Sequence, residues 1–215
     1  MPVSRLSRIV LGLLLALPVP APPSPARAQA AELSKAEEYR LRQEAKGLFE
    51  AVLAEPGPAP GTCGLDKEWA SRLVPYRLAR KHLGHTALAD LNGLETGATT
   101  AEILDSPGKH PEWFCGVEEF RRELQGRKDK TLAAGRAGEG ADSLRGSMPQ
   151  LDFSFPVFDM TFRTAIVVRS SSYYGWFMRD GQLQQSLALF VDALVYRKTN
   201  GRWRLVEDER LFSAE

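Results

Sequence analysis

Apolar residues between positions 35 and 53 follow the pattern of an amphipathic helix. They recur every three to four residues, with Arg, Glu and Lys between them. Ser34-Lys35-Ala36-Glu37 has the form of a capping box, because the serine hydroxyl and the glutamate carboxylate satisfy opposite backbone donors at a helix start. We predict a helix that begins near Lys35 and ends before Pro56, where proline and glycine alternate. Its apolar stripe comprises Leu41, Ala45, Leu48, Phe49, Val52 and Leu53.

Short apolar segments separated by proline and glycine follow between positions 65 and 126. They predict four short helices, at 66–73, 76–83, 100–104 and 112–124. Isolated helices shorter than about 12 residues are marginal in water, so these segments require tertiary packing. Residues 126–150 then carry five glycines among charged residues, with almost no apolar periodicity, and this composition predicts a flexible linker.

The last third of the chain alternates apolar and polar residues, which is typical of β-strands with one buried face. The first predicted strand has one apolar side, which is formed by Phe158, Met160, Phe162, Ile166 and Val168. A second strand has a similar side, formed by Leu183, Leu187, Leu189, Val191, Ala193 and Val195. Asn200-Gly201 predicts a tight hairpin into a third strand, which carries Trp203, Leu205 and Leu211.

Together these elements predict an α+β fold. N-terminal helices in residues 31–125 are expected to precede the linker at 126–150 and a curved antiparallel sheet of three or more strands in residues 151–215. One face of that sheet is apolar and must be covered. The first helix, with its own apolar stripe, is expected to cover it.

Residues 1–30 are predicted to be a cleavable signal peptide. Arg5 and Arg8 precede an uninterrupted apolar run at 9–17, and Ala28-Gln29-Ala30 has the small residues of a cleavage site. A membrane-spanning helix needs about 20 apolar residues, and five prolines between positions 18 and 25 interrupt this stretch. We therefore expect an exported, soluble protein, periplasmic or secreted, that begins at Ala31 and has no membrane span after cleavage.

Charge and cysteine content narrow the range of partners and indicate a disulfide bond. The signal carries three arginines and no acidic residue, so cleavage changes the formal charge from +1 to −2. A nucleic-acid partner would require clustered excess Lys and Arg and is not expected. Cys63 and Cys115 are the only cysteines, and in an oxidising compartment such a pair is more often a structural bridge than two free thiols. We predict a Cys63–Cys115 bridge that encloses nearly all of the short helices.

Motifs for catalysis or metal binding are weak. His82 and His85 are three residues apart and His110 is more distant, but no carboxylate stands at a ligand spacing from them, so we predict no metal and no cofactor. Neither cysteine matches a hydrolase signature, and the sequence contains no Gly-x-Ser-x-Gly motif and no phosphate-binding loop. Glu118-Glu119 and Glu207-Asp208-Glu209 stand beside Arg and Lys, which is typical of solvated faces. No catalytic residue is assigned.

The strand-turn-strand segment at 190–206, with Asn200-Gly201-Arg202-Trp203 at its turn, resembles the closing hairpin of the nuclear-transport-factor-2-like superfamily. The resemblance covers roughly residues 151–212. It implies a curved antiparallel sheet wrapped around helices to form a cone with an interior pocket. Because folds of that kind host enzymes, binding modules and assembly domains, the resemblance constrains shape more than function.

An unusual aromatic run lies at 170–177, where four of five consecutive positions are Tyr173, Tyr174, Trp176 and Phe177. Rings next to Arg169 and Arg179 are suited to a ligand pocket or to the apolar centre of a partner interface. The competing interpretation is that they cap an open edge of the sheet core.

The leading hypothesis is a non-catalytic exported binding or interaction module, whose partner is a protein or a small apolar ligand. The alternative is a small hydrolase or isomerase, with a pocket in the cone lined by Phe158, Phe162, Tyr174 and Trp176. An envelope-stress or toxin-neutralising protein is a third class with the same sequence features.

Overall fold

The computed structural model describes residues 35–54, 61–84, 100–104, 110–136 and 144–214. The predicted signal peptide, the Ser34 cap and His85 lie outside these residues. Residues Glu32–Glu215 form one compact unit. The helical and strand-rich regions therefore belong together.

Three of the predicted helices are confirmed: α1 (Lys35–Leu53), α2 (Tyr76–His82) and α3 (Thr100–Leu104). The buried residues of α1 are five of the six predicted for its apolar stripe. Pro75 precedes α2, and the amide of Leu83 at its other end bonds to the carbonyl of Ala79. A proline just before a helix restricts the backbone without removing a hydrogen bond of the helix, because the first amides of a helix have no partner within it.

The helix predicted at 66–73 is wrong, and the one predicted at 112–124 is right only from Val117 onward. Leu65–Asp66 is a short strand, β1, and the described residues from 67 to 75 contain no helix. Pro111–Trp113 is one 3-10 turn, and Phe114–Cys115 is the short strand β2. A strand of two residues is too short to show alternation, so the sequence pattern does not reveal it.

One longer helix, α4 (Val117–Arg136), is found where the sequence predicted a helix at 112–124 and the first part of a linker at 126–150. The predicted linker is therefore wrong over residues 126–136. The next strand, β3 (Arg145–Phe153), begins within the range predicted for the linker. Most side chains of α4 face solvent, where pairs four residues apart support the helix, such as Arg127 with Glu123. Apolar periodicity is weak there because the buried stripe of α4 is confined to its first half.

In the described part of the chain, seven strands form one mixed sheet in the order β2-β1-β3-β5-β6-β7, and β4 pairs with β5. The remaining strands are β4 (Val157–Phe158), β5 (Thr164–Arg179), β6 (Gln182–Thr199) and β7 (Arg202–Ala214). β1 is parallel to β2 and to β3, and the other pairs are antiparallel. The prediction of helices followed by a purely antiparallel sheet is therefore wrong, because the segment expected to be helical contributes two strands.

Two tight turns build the long strands into a meander. The predicted hairpin at Asn200-Gly201 is confirmed, and both residues have positive φ, as a type I′ turn requires. Asp180-Gly181 makes the same turn between β5 and β6, which the sequence analysis did not identify. The first predicted strand is partly wrong, because residues 159–163 form a turn between β4 and β5, and Met160 is exposed.

Helices cover the sheet on both faces at the end where β5 begins. On the face that we call the α1 face, Ala165, Val167, Leu194 and Tyr196 pack with the buried residues of α1. On the opposite face, called the α4 face, Ile166, Ala193 and Val195 pack against α2. Side chains alternate along a strand, so odd-numbered residues of β5 lie on the α1 face and even-numbered residues on the α4 face.

The predicted disulfide bond between Cys63 and Cys115 is present, with Cα atoms 4.8 Å apart, inside the usual range for such bonds. Both half-cystines are buried in a cluster with Phe120 and Leu124 of α4. The bond therefore joins the chain before β1 to the end of β2 beneath α4.

Candidate functional site

Strand alternation divides the aromatic run between the two faces of the sheet. Tyr173 and Phe177 lie on the α1 face and are 44% and 36% exposed. Tyr174 and Trp176 lie on the α4 face, beneath α4. The four predicted site residues therefore do not form one surface.

Tyr174 and Trp176 pack inside the protein. The ring of Tyr174 lies 5.1 Å from that of Phe120, and Trp176, only 3% exposed, donates its indole hydrogen to Thr131 Oγ1 at 2.8 Å. Gly146 on β3 makes room for the indole, because a Cβ there would lie 2.3 Å from Trp176. These two side chains hold α4 on the sheet.

Tyr173 and Phe177 belong to an exposed aromatic surface that also includes Phe190. The ring of Phe190 meets that of Tyr173 edge-on at 5.9 Å, and the guanidinium of Arg210 lies 4.7 Å from the Phe190 centroid. We call Tyr173, Phe177, Phe190 and Arg210 the open face. An aromatic surface of this kind contributes large contact area with little loss of side-chain entropy on binding.

An ionic cluster around the buried Asp192 holds Arg210 in place. Asp192, 2% exposed, lies between Arg169 on β5 and Arg210 on β7, and its carboxylate accepts a hydrogen bond from each guanidinium. Arg169 also lies 3.6 Å from Asp208. Two positive and two negative side chains thus form a balanced network, and charge-assisted hydrogen bonds of this kind restrict side-chain motion.

Sequence reasoning missed Phe190 and this cluster, although a signal for both was present. The turn at Asp180-Gly181 pairs Arg179 with Gln182, and counting back along the two strands brings Arg169 opposite Asp192 and Ser171 opposite Phe190. Recognition of that Asp-Gly turn would therefore have predicted the pairing.

The residues of the alternative catalytic pocket do not meet. Phe158 and Phe162, with ring centroids 5.4 Å apart, belong to the core beneath α1, whereas Tyr174 and Trp176 lie across the sheet beneath α4. A pocket lined by all four is therefore wrong for this fold, because the sheet separates the two pairs.

His82 and His110, the two histidines among the described residues, have different neighbours. His82 Nε2 is 3.1 Å from Glu207, and the ring of His110 stacks on Trp113 at 3.9 Å. Within the described ranges, no three His, Cys, Asp or Glu side chains are grouped so that they could hold a metal ion.

Among the described residues, three carboxyl groups have displaced pKa values. Burial raises the pKa of Asp152, which lies opposite Ser170 on the α4 face, while Ser170 and Arg72 oppose that change. A hydrogen bond from Lys67 lowers the pKa of Glu119, and one from Lys81 lowers that of Glu207. The last two belong to the acidic groups that were predicted to be solvated, and each is paired with a lysine at the surface.

Neither protein-family models, curated proteins nor solved structures contain a match to this chain. Among the described helices, none is long and apolar enough to cross a membrane.

Proposed function

We propose that the chain is an exported binding module whose open face contacts a protein partner. The observation that carries this proposal is the exposure of Tyr173, whose ring meets that of Phe190 beside a positioned Arg210, and of Phe177 farther along the same face of β5. Tyrosine and arginine are the residue types, with tryptophan, that most often dominate the energy of protein interfaces. A cation and aromatic rings held by a rigid sheet lose little freedom on association.

Export is the second part of the proposal. It rests on the three-part pattern of residues 1–30 and is supported by the disulfide bond, since such bonds persist mainly in oxidising compartments. N-terminal sequencing of the exported chain tests it directly. An N-terminus at Ala31 is expected, and retention of the whole chain in the cytoplasm with free thiols would be the contrary result.

A protein partner is favoured over a catalytic role because the carboxylates that contact Arg210 and Arg169 are held in ion pairs. Asp192 and Asp208 are both engaged by arginines. Asp152, the carboxyl group whose pKa is raised, lies on the opposite face of the sheet. The resemblance of the closing hairpin to the nuclear-transport-factor-2-like superfamily stays a prediction and is compatible with a binding module.

Site-specific crosslinking tests the interface. A photoreactive phenylalanine analogue at position 173 is expected to capture a partner in the exported fraction, which mass spectrometry then identifies. The matched control carries the analogue at Tyr76, an exposed aromatic residue on α2. Capture from position 76 alone, or the same products from both positions, contradicts the proposal.

Affinity for the captured partner gives the second readout. Tyr173→Ala with Phe177→Ala is expected to weaken binding by about tenfold or more, equivalent to at least about 1.4 kcal/mol. Tyr76→Ala is expected to leave binding unchanged. Unchanged affinity in the folded double variant would exclude the open face as the interface.

A further inference from the structure

Two arginines stand directly opposite each other near the turn of the β6–β7 hairpin. Arg197 of β6 pairs with Arg204 of β7, and Thr199 pairs with Arg202 two residues nearer to the turn. Directly paired side chains of neighbouring strands lie on the same face, with Cβ atoms about 5 Å apart, and diagonal neighbours lie about 7–8 Å apart. Arg197 is therefore within reach of Arg204 across the strands and of Arg202 on the diagonal.

These three arginines, which we call the arginine cluster, lie on the α4 face of the sheet. Side chains alternate along a strand, so Arg197 shares the face of Ala193 and Val195, which pack against α2. Its strand partner Arg204 shares that face, as does Arg202 two residues before Arg204. All three arginines are exposed. The arginine cluster therefore continues the α4 face past the residues that α2 covers and is open to solvent.

Among the described residues, no carboxylate forms an ion pair with the arginine cluster. Glu207, which pairs with Val195 on the same face, is engaged by α2 instead. Its carboxylate oxygens lie 2.7 Å from Lys81 Nζ and 3.1 Å from His82 Nε2. Like charges directly opposite each other destabilise a pair of strands, so the arrangement has a cost in free energy that a bound anion would remove.

The donors of the arginine cluster suit a phosphate group. A guanidinium presents a planar set of N–H donors that can bond two oxygens of one phosphate at once. Hydroxyl groups stand beside these donors, because Thr164 pairs with Arg197 and Thr199 with Arg202. A phosphomonoester carries about 1.5 to 2 negative charges at neutral pH and has three acceptor oxygens, whereas a carboxylate carries one charge and two oxygens. The phosphomonoester therefore matches a cluster of three cations more closely.

We infer that the arginine cluster binds a phosphomonoester group. Arg197 and Arg204 hold the phosphate between them, and Arg202 bonds a further oxygen. The group belongs either to a small molecule or to the headgroup of an anionic lipid, because both present the same three oxygens. The site lies on the opposite face of the sheet from the open face and does not depend on the proposed function.

Nuclear magnetic resonance of the arginine Nε–H groups tests this inference in a buffer without phosphate. Glycerol phosphate is titrated into the ¹⁵N-labelled chain, and the signals of Arg197 and Arg204 are assigned by their loss in Arg197→Gln and Arg204→Gln. A saturable shift of both signals is expected, whereas sodium chloride at the same ionic strength is expected to cause none. Sedimentation with vesicles of phosphatidylcholine, with and without phosphatidic acid, tests the lipid source. Binding that requires phosphatidic acid is the positive result.

Three variants complete the test. Arg197→Gln, followed through the Arg204 signal, is expected to weaken the binding of glycerol phosphate by about tenfold or more. Arg197→Lys keeps the charge but loses the planar donor set, so it is expected to bind more weakly than the parent and more tightly than Arg197→Gln. Arg179→Gln is the matched control, because Arg179 is 74% exposed at the far end of β5, and it is expected to bind normally.

Saturable binding of glycerol phosphate identifies a small phosphomonoester as the ligand. Binding confined to vesicles with phosphatidic acid, and lost in Arg197→Gln, identifies a lipid headgroup. The inference is wrong if the parent binds neither probe, if Arg197→Gln binds as tightly as the parent, or if Arg179→Gln is weakened as much as Arg197→Gln. None of these results affects the crosslinking at position 173, so the two proposals fail independently.

Discussion

Arg210 lies directly opposite Asp192, although the turn at Asn200-Gly201 would by itself place Glu209 there. The turn pairs Thr199 with Arg202, and an uninterrupted ladder from that pair brings residue 192 opposite residue 209. An irregularity between Val195 and Tyr196 leaves Val206 unmatched and moves the register by one residue. A bulge thus replaces a repulsive Asp–Glu pair by an attractive Asp–Arg pair.

Asp192→Asn is expected to lower the free energy of unfolding by about 2–3 kcal/mol, because two arginines then face a neutral amide in a largely buried position. Urea denaturation of the variant and the parent measures the difference. Asp208→Asn is the control: its side chain is 45% exposed, so the expected loss is below about 1 kcal/mol. Equal losses in the two variants would mean that Asp192 does not organise the cluster.

Replacing Cys63 and Cys115 with serine is expected to cost about 4 kcal/mol in the chain-entropy model, since the bond closes a span of 52 residues. Chemical denaturation of the double variant, compared with the oxidised parent, gives the value. Thiol titration of the denatured, non-reduced parent should find no free thiol. A double variant as stable as the parent would show that the packing beneath α4 suffices without the bond.

Trp176→Ala is expected to destabilise the protein much more than Tyr173→Ala, although the two residues are only three positions apart. Loss of the Trp176 ring empties the space beneath α4 and removes a hydrogen bond to Thr131, so about 3–5 kcal/mol should be lost. Tyr173→Ala should cost less than about 1 kcal/mol, because the ring is half-exposed. Thermal melts of both variants test this. The assignment of the two faces fails if Tyr173→Ala is the more damaging change.

Asp152→Asn is expected to stabilise the protein at neutral pH and to lose that advantage in acid. Burial raises the pKa of Asp152 above its ordinary value of 3.8, so the folded state disfavours the ionised form. The resulting cost is absent below the ordinary pKa, grows as pH rises through the raised pKa, and is constant above it. Denaturation of the variant and the parent across this pH range measures the effect.

Glu119→Gln is expected to change the stability of the protein in the opposite direction to Asp152→Asn at neutral pH. A hydrogen bond from Lys67 lowers the pKa of Glu119, so its ionised form favours the folded state above the ordinary value of 4.5, and that contribution disappears as pH falls through the lowered pKa. This variant should therefore be less stable than the parent at neutral pH and equal to it in acid. The same trend for Asp152→Asn and Glu119→Gln would contradict the assigned directions.

Several features followed from local sequence alone. The stripe of α1, the positions of α2 and α3, the Asn200-Gly201 hairpin and the Cys63–Cys115 pairing each depend on a pattern that a short window or a residue count contains. Such patterns are readable because helix periodicity and turn geometry arise from the backbone itself.

Tertiary structure decided the rest. Leu65 and Phe114 are strand residues only because β1 pairs with β2 on one side and with β3 on the other, and segments of two residues carry no period of their own. The aromatic run is divided because α4 covers one face of β5 at these positions, while Tyr173 and Phe177 on the other face stay exposed, which places Trp176 in the core and Tyr173 at the surface. Asp192 meets Arg210 and not Glu209 because a bulge moves the strand by one residue. Alternation along the chain determines which side chains share a face, but only the packed sheet determines which face is covered.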